Sequence, residues 1–151
     1  MSVKFTIHHS LTKTPHIEKI ATGLAVFHDT GKYPDFLGHY GQFENNPKAM
    51  ESQLNKIHIA LYRSDWTLKT WQRDKGHNRT SDNFVVYVRH FFFDDYYQIL
   101  GIVTPKAHQR IDQLLPTFID MAESFHSATE LSQLTIYQNN HDILQSFNLT
   151  N

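Results

Sequence analysis

The polar and apolar positions change period several times along the chain. Val3, Phe5 and Ile7 alternate with Lys4, Thr6 and His8. Side chains of a strand point to opposite faces in turn, so this segment predicts a half-buried strand. Helical spacing follows at Ile17, Ile20, Leu24 and Phe27 or His28. Thr14 can cap that helix, Pro15 suits its first position, Glu18 falls in its first turn, and Gly31 can end it. Gly23 weakens its interior. Residues 31–47 carry no period and read as a loop with at most a short helical turn, and residues 48–55 read as helical. In KIHIALY (56–62), Ile57, Ile59 and Leu61 alternate with His58, Ala60 and Tyr62, which predicts a strand. Residues 63–83 form a long polar connection containing Trp66 and Trp71, and long connections of this kind are usually functional or mobile. FVVYVRHF (84–91) and YYQILGIV (96–103) are rich in β-branched and aromatic residues, and FDDY between them suits a hairpin turn. Thr104-Pro105 gives a second helix start, and Ile111, Leu114, Leu115, Phe118, Met121 or Ala122 and Phe125 form its apolar stripe. Pro116 is expected to break or kink that helix. Beyond residue 128, Leu131, Leu134, Ile136, Ile143, Leu144 and Phe147 predict a further short helix. The order of elements predicts an α+β fold: an antiparallel sheet with helices packed on one face and an extra C-terminal helical segment. With no internal repeat and no dividing linker, residues 1–151 read as one domain.

Composition narrows the class. Hydrophobic residues make up 40% and charged residues 19%, as in a folded globular protein. The chain has no cysteine, which excludes disulfides and thiolate metal sites. The N-terminus lacks the apolar run of a signal peptide, and no apolar stretch is long enough to span a membrane. These features predict a cytoplasmic protein without membrane contact. The net charge of -1 excludes a uniformly basic nucleic-acid binder. Its distribution is uneven: residues 48–90 hold eight Lys or Arg against four acidic residues, and residues 91–151 hold two against seven. A basic middle fits a local phosphate-binding face, although scattered surface charges would give the same counts. The 11 histidines show no zinc-site spacing, which leaves a metal site assembled only by folding as an alternative.

Several residues could carry chemistry. His58 points away from the face of Ile57, Ile59 and Leu61, and Tyr87 and Arg89 share one face of their strand. A free sheet face lined by His, Tyr and Arg suits phosphate and base contacts, and ordinary cross-strand polar pairs are the simpler reading. His108 falls in the first turn of a helix, where the dipole disfavours imidazolium and a neutral ring can act as a base. Arg79 and Asp82 precede a strand; Arg79 can clamp a phosphate, or the two can form an ion pair across the turn.

Five segments taken together resemble the YafO family of type II toxins: G-x-Y-P-D-F-L-G (31–38), KIHIAL (56–61), RTSDNFVVYV (79–88), ILGIVTPKAH (99–108) and MAESF (121–125). They occur in the family's order over about residues 24–126. Residues 63–78 match poorly, and the tail after Phe125 is longer than the family pattern. The resemblance implies a RelE-like fold, a cognate antitoxin, and ribosome-dependent cleavage of mRNA by attack of the ribose 2′-OH on the adjacent phosphate. It implies no metal or other cofactor. The matched positions able to supply that chemistry are His58, Arg79, Asp82, Tyr87 and His108. Arg79 is expected on the phosphate, His58 and His108 as base and acid, Asp82 as the orienting group, and Tyr87 in stacking or proton transfer. Pro34, Asp35 and Gly38 match as loop-forming residues. Lys56, Arg73, Lys75 and Arg89 from the basic stretch are expected to face RNA, with the acidic end turned elsewhere. The alternative on the same scaffold is a non-enzymatic inhibitor of the RelE/ParE superfamily that binds a target such as DNA gyrase.

Overall fold

The computed structural model describes residues 2–72 and 75–140. Five strands form one sheet: β1 (Lys4–Ile7), β2 (Leu37–Gln42), β3 (Leu54–Ile59), β4 (Phe84–Arg89) and β5 (Tyr96–Val103). Their order across the sheet is β1-β5-β4-β3-β2. All neighbours are antiparallel except β1 and β5, which run parallel. The helices are α1 (Ile17–Thr30), α2 (Pro47–Glu51), α3 (Arg63–Trp66), α4 (Lys69–Gln72) and α5 (Ala107–His126). The α+β class and the predicted strands at β1, β3, β4 and β5 are all present.

The helices do not share one face, contrary to the sequence expectation. Ile17, Ile20, Leu24 and Ala25 of α1 pack on Phe5, Ile57, Ile59, Val85, Tyr87 and Ile99. Ile111, Leu115, Phe118, Ala122 and Phe125 of α5 pack on Leu54, Phe84, Val86, Val88 and Leu100. The reason lies in the central strands. Phe84 to Val88 are apolar at every position, and an uninterrupted apolar strand needs cover on both faces.

Three local differences have physical causes. LGHYGQ lacks alternation, yet it forms β2 by pairing with β3 and lies against Arg79. A Cβ on Gly38 would run into the Arg79 carbonyl oxygen, so glycine lets the two backbones meet. Pro116 does not break α5, because the buried stripe on both sides of it holds one continuous helix against the sheet. The expected C-terminal helix appears among the described residues only as a 3-10 turn at Leu131–Gln133. Tyr137 then exchanges two main-chain bonds with Phe5 and covers the outer edge of β1. Ile143, Leu144 and Phe147 lie outside the described residues.

Candidate active site

Helix α5 begins at Ala107 rather than beside Pro105, and Thr104 does not cap it. The Thr104 hydroxyl instead donates to Asn83 Oδ1 at 2.6 Å. The first amides of α5 are met by a residue from another element. Asp82 accepts Ala107 N–H on its carbonyl oxygen at 3.0 Å and His108 N–H on Oδ1 at 3.1 Å. This satisfies donors that a helix N-terminus leaves without partners. The same Oδ1 lies 2.8 Å from His108 Nδ1. A carboxylate only accepts, so Nδ1 carries a proton and Nε2 is left for proton exchange. Burial pushes the Asp82 carboxyl up, but the hydrogen bonds from the His108 ring and amide outweigh it and hold the group below its ordinary range.

Next to this pair is His58 on β3, whose ring centroid is 5.5 Å from that of His108. His58 is only 6% exposed, whereas the Asp82 and His108 side chains are 53% and 60% exposed. His58 Nδ1 lies 3.0 Å from Ser81 N and 2.7 Å from Ser81 O, so in either tautomer this nitrogen is occupied and Nε2 remains for exchange. Burial lowers the His58 pKa to about 4; the Ser81 carbonyl opposes that shift, and His108, His39 and Lys56 add to it. The ring is therefore neutral at pH 7.

His39 extends the row, 6.1 Å from His58 between centroids. Its Nδ1–H donates to the His77 carbonyl at 2.9 Å. Lys56, two residues before His58 on the same strand face, holds its ammonium 5.0 Å from the Phe84 ring, and that ring is 4.7 Å from His108. One sheet end therefore gathers Lys56, His58 and His108 about the Phe84 ring, with Asp82 on His108 and His39 beside His58. His39 was not singled out in the sequence. Its only cue was its place directly after the G-x-Y-P-D-F-L-G segment, in a stretch with no strand period.

The remaining expected residues lie elsewhere. Arg79 does not pair with Asp82. Its Nε donates to Leu37 O at 3.0 Å and its Nη2 to Pro34 O at 2.9 Å, and its guanidinium lies 5.4 Å from the centre of the Trp71 ring. Trp71 Nε1 in turn donates to Asp35 O. Arg79, Pro34, Asp35 and Gly38 thus tie the loop before β2 to the strand that precedes the site. Tyr87 is fully buried on the opposite face of the sheet, 2.6 Å from His28 Nε2. Arg89 is also on that face. Its Nε donates to Asp94 O, and it lines a cavity of about 370 Å³ with His28, Tyr40 and Tyr97. Lys75 is exposed in the loop just before His77, and Arg73 lies outside the described residues. Among the described residues, no group of three or more His, Asp or Glu side chains is placed to hold a metal ion.

Residues 25–127 match the profile of the family described as Toxin YafO, type II toxin-antitoxin system. The chain belongs to the YafO toxin family. The matched span runs from within α1 to just past the end of α5, so it contains the whole His39–His58–Asp82–His108 group. No curated protein and no solved structure gives a match. The mixed five-stranded sheet of this YafO toxin is consistent with a RelE-like fold, and its type II membership implies an antitoxin partner. Among the described residues, no helix is long and apolar enough to cross a membrane.

Proposed function

We propose that this YafO toxin is a ribosome-dependent endoribonuclease that cleaves translated mRNA through His58, His108 and Asp82. The reading is carried by one observation: two imidazoles 5.5 Å apart, one buried and neutral, the other facing a carboxylate at 2.8 Å. Cleavage by an internal 2′-OH needs a base at the nucleophile and an acid at the leaving oxygen, and two differently placed imidazoles meet both needs.

His58 takes the 2′-OH proton on Nε2 as the 2′-oxygen bonds to phosphorus. His108 delivers a proton to the 5′-oxygen as the P–O5′ bond breaks, and Asp82 offsets the positive charge of the ring before transfer. The products are a 2′,3′-cyclic phosphate and a 5′-hydroxyl end, and both rings regain their starting states by exchange with solvent. Lys56 offsets the charge that builds up on the phosphoryl oxygens. Arg79, with its guanidinium engaged by two carbonyls, positions the loop and leaves the phosphate to Lys56. Lys75 from the basic stretch helps guide the mRNA within the ribosome.

Primer extension on a translated message after induction of the toxin tests this reading. New 5′ ends inside the message are expected with the native chain and not with a folded His58→Ala/His108→Ala variant. Growth arrest without new ends would instead assign the protein to target binding without cleavage. Equal cleavage by the folded double variant would remove these residues from the chemistry.

A further inference from the structure

At the far end of α5, three consecutive phenylalanines form the turn between β4 and β5. Phe91, Phe92 and Phe93 are 57%, 76% and 48% exposed. At about 200 Å² per side chain they leave roughly 300–400 Å² of apolar surface in one place. Patches of that size on a soluble protein commonly mark an interaction site, and this one covers nearly half of the ~800 Å² that each partner contributes to a standard interface.

The turn is held rather than loose. His90 Nδ1 accepts the amides of Phe92 and Phe93, both at 3.1 Å, and His126 Nδ1 accepts the amide of Phe91 at 3.0 Å. His126 is anchored in turn by donating Nε2–H to Ser52 O at 2.7 Å. Two imidazoles thus fix all three phenylalanine amides, and the rings face solvent from a set backbone. Beside them runs a groove of about 600 Å³, between Ser52 at the end of α2 and Ile119 and Glu123 of α5.

We propose that the Phe91–Phe93 turn and this groove are the docking site for an apolar helix of the cognate antitoxin. The proposal rests on family membership and not on the nuclease reading. Three features select this occupant. The groove lies between α2 and α5 and carries Phe91, Phe92 and Ile119, and an apolar groove of this kind suits an amphipathic helix with anchors at i, i+3 and i+4. Strand addition has less to offer, because both outer strands already carry main-chain bonds on their free sides, at Phe5 to Tyr137 and at His39 to Arg79. The groove is lined by Glu51 and Glu123 against Lys48. The docking helix therefore carries basic residues beside its apolar face. Helix α5 carries this surface along its second half, about 16 Å from His108 at Ile119 and about 27 Å at His126, at about 1.5 Å per residue.

Calorimetric titration of full-length toxin with the purified antitoxin of its own module tests the proposal without reading RNA cleavage. Phe91→Ser/Phe92→Ser is expected to weaken binding by about tenfold or more, because aromatic anchors dominate such interfaces. Phe92→Leu should stay within about threefold of the native chain, and His108→Ala should bind as the native chain does. Thermal melts check that each variant is folded. Hydrogen exchange on the native complex gives a second reading, with the Phe91, Phe92 and Phe93 amides slowed by the antitoxin. Native affinity in the folded double variant, or unchanged exchange at the turn, overturns the proposal. So does a toxin dimer that dissociates on substitution while antitoxin affinity stays the same, which would give the patch to a second copy of this chain.

Discussion

Asp82 Oδ1 contacts His108 twice, accepting its main-chain N–H at 3.1 Å and its ring Nδ1–H at 2.8 Å. One oxygen thereby caps the helix that carries the histidine and orients the histidine itself. The two roles separate by substitution. Asp82→Ala loses both, and the lost cap costs about 1 kcal/mol, or roughly 2–4 °C in Tm. Asp82→Asn keeps an oxygen acceptor and most of that stability but loses the carboxylate. Both variants should lower mRNA cleavage by about tenfold or more, measured as end formation per folded molecule. Full activity in Asp82→Asn would limit Asp82 to capping.

Arg79 is predicted to act on stability rather than on the phosphate. Two charge-assisted bonds to Leu37 O and Pro34 O are lost in Arg79→Ala, which should destabilise the fold by about 2–4 kcal/mol in chemical denaturation. At a temperature where the variant is folded, its cleavage per molecule should approach the native value. A large loss in folded protein would return Arg79 to the reaction.

Tyr87 provides the opposite control. Its hydroxyl is buried against His28 on the α1 face, and burial raises its pKa well above the phenol value. Tyr87→Phe should cost about 1–2 kcal/mol by leaving His28 Nε2 without its partner, with cleavage unchanged. Reduced cleavage at native stability would contradict that placement.

Gly38 tests the link between loop and site. Gly38→Ala drives a methyl into the Arg79 carbonyl and should break the bond from His39 N to Arg79 O. A destabilisation of about 1–3 kcal/mol is expected, together with movement of His39 visible in its imidazole NMR signals. Native stability with unmoved signals would show that the two backbones can separate without cost.

Acid stability follows from His28 and His58. Burial is the main cause that lowers each to about 4, against 6.5 for the free side chain. Below pH 6.5 the unfolded chain takes up protons that the folded chain refuses, so stability falls as the pH drops from 6.5 to 4 and levels off below that. Each ring contributes a loss of roughly 3 kcal/mol at most across this window. Urea denaturation at pH 7.5 and 4.5 should show it, and His28→Gln should flatten the slope. Equal stability at the two pH values would exclude the effect.

Period-two and helical patterns were sufficient to identify four strands and the two long helices, because each buries a continuous face that leaves its mark on neighbouring residues. The same patterns placed His58 on the face opposite Ile57 and Ile59, and the family motifs pointed to Asp82 and His108. Strand β2 was hidden because LGHYGQ has no period of its own and gains its bonds from β3 and Arg79. The division of the helices between two faces was legible in FVVYV as an unbroken apolar run, but only in hindsight of the sheet.

The sequence by itself therefore determined the α+β class, the main elements and the family. Tertiary structure decided which of the candidate side chains meet. A strand's alternation sends Tyr87 and His58 to opposite faces once β3 and β4 are in register, and no local pattern states that register. The same folding turned Arg79 inward to two carbonyls and brought Asp82 to the N-terminus of α5, because buried main-chain groups and helix ends need partners wherever the chain can supply them.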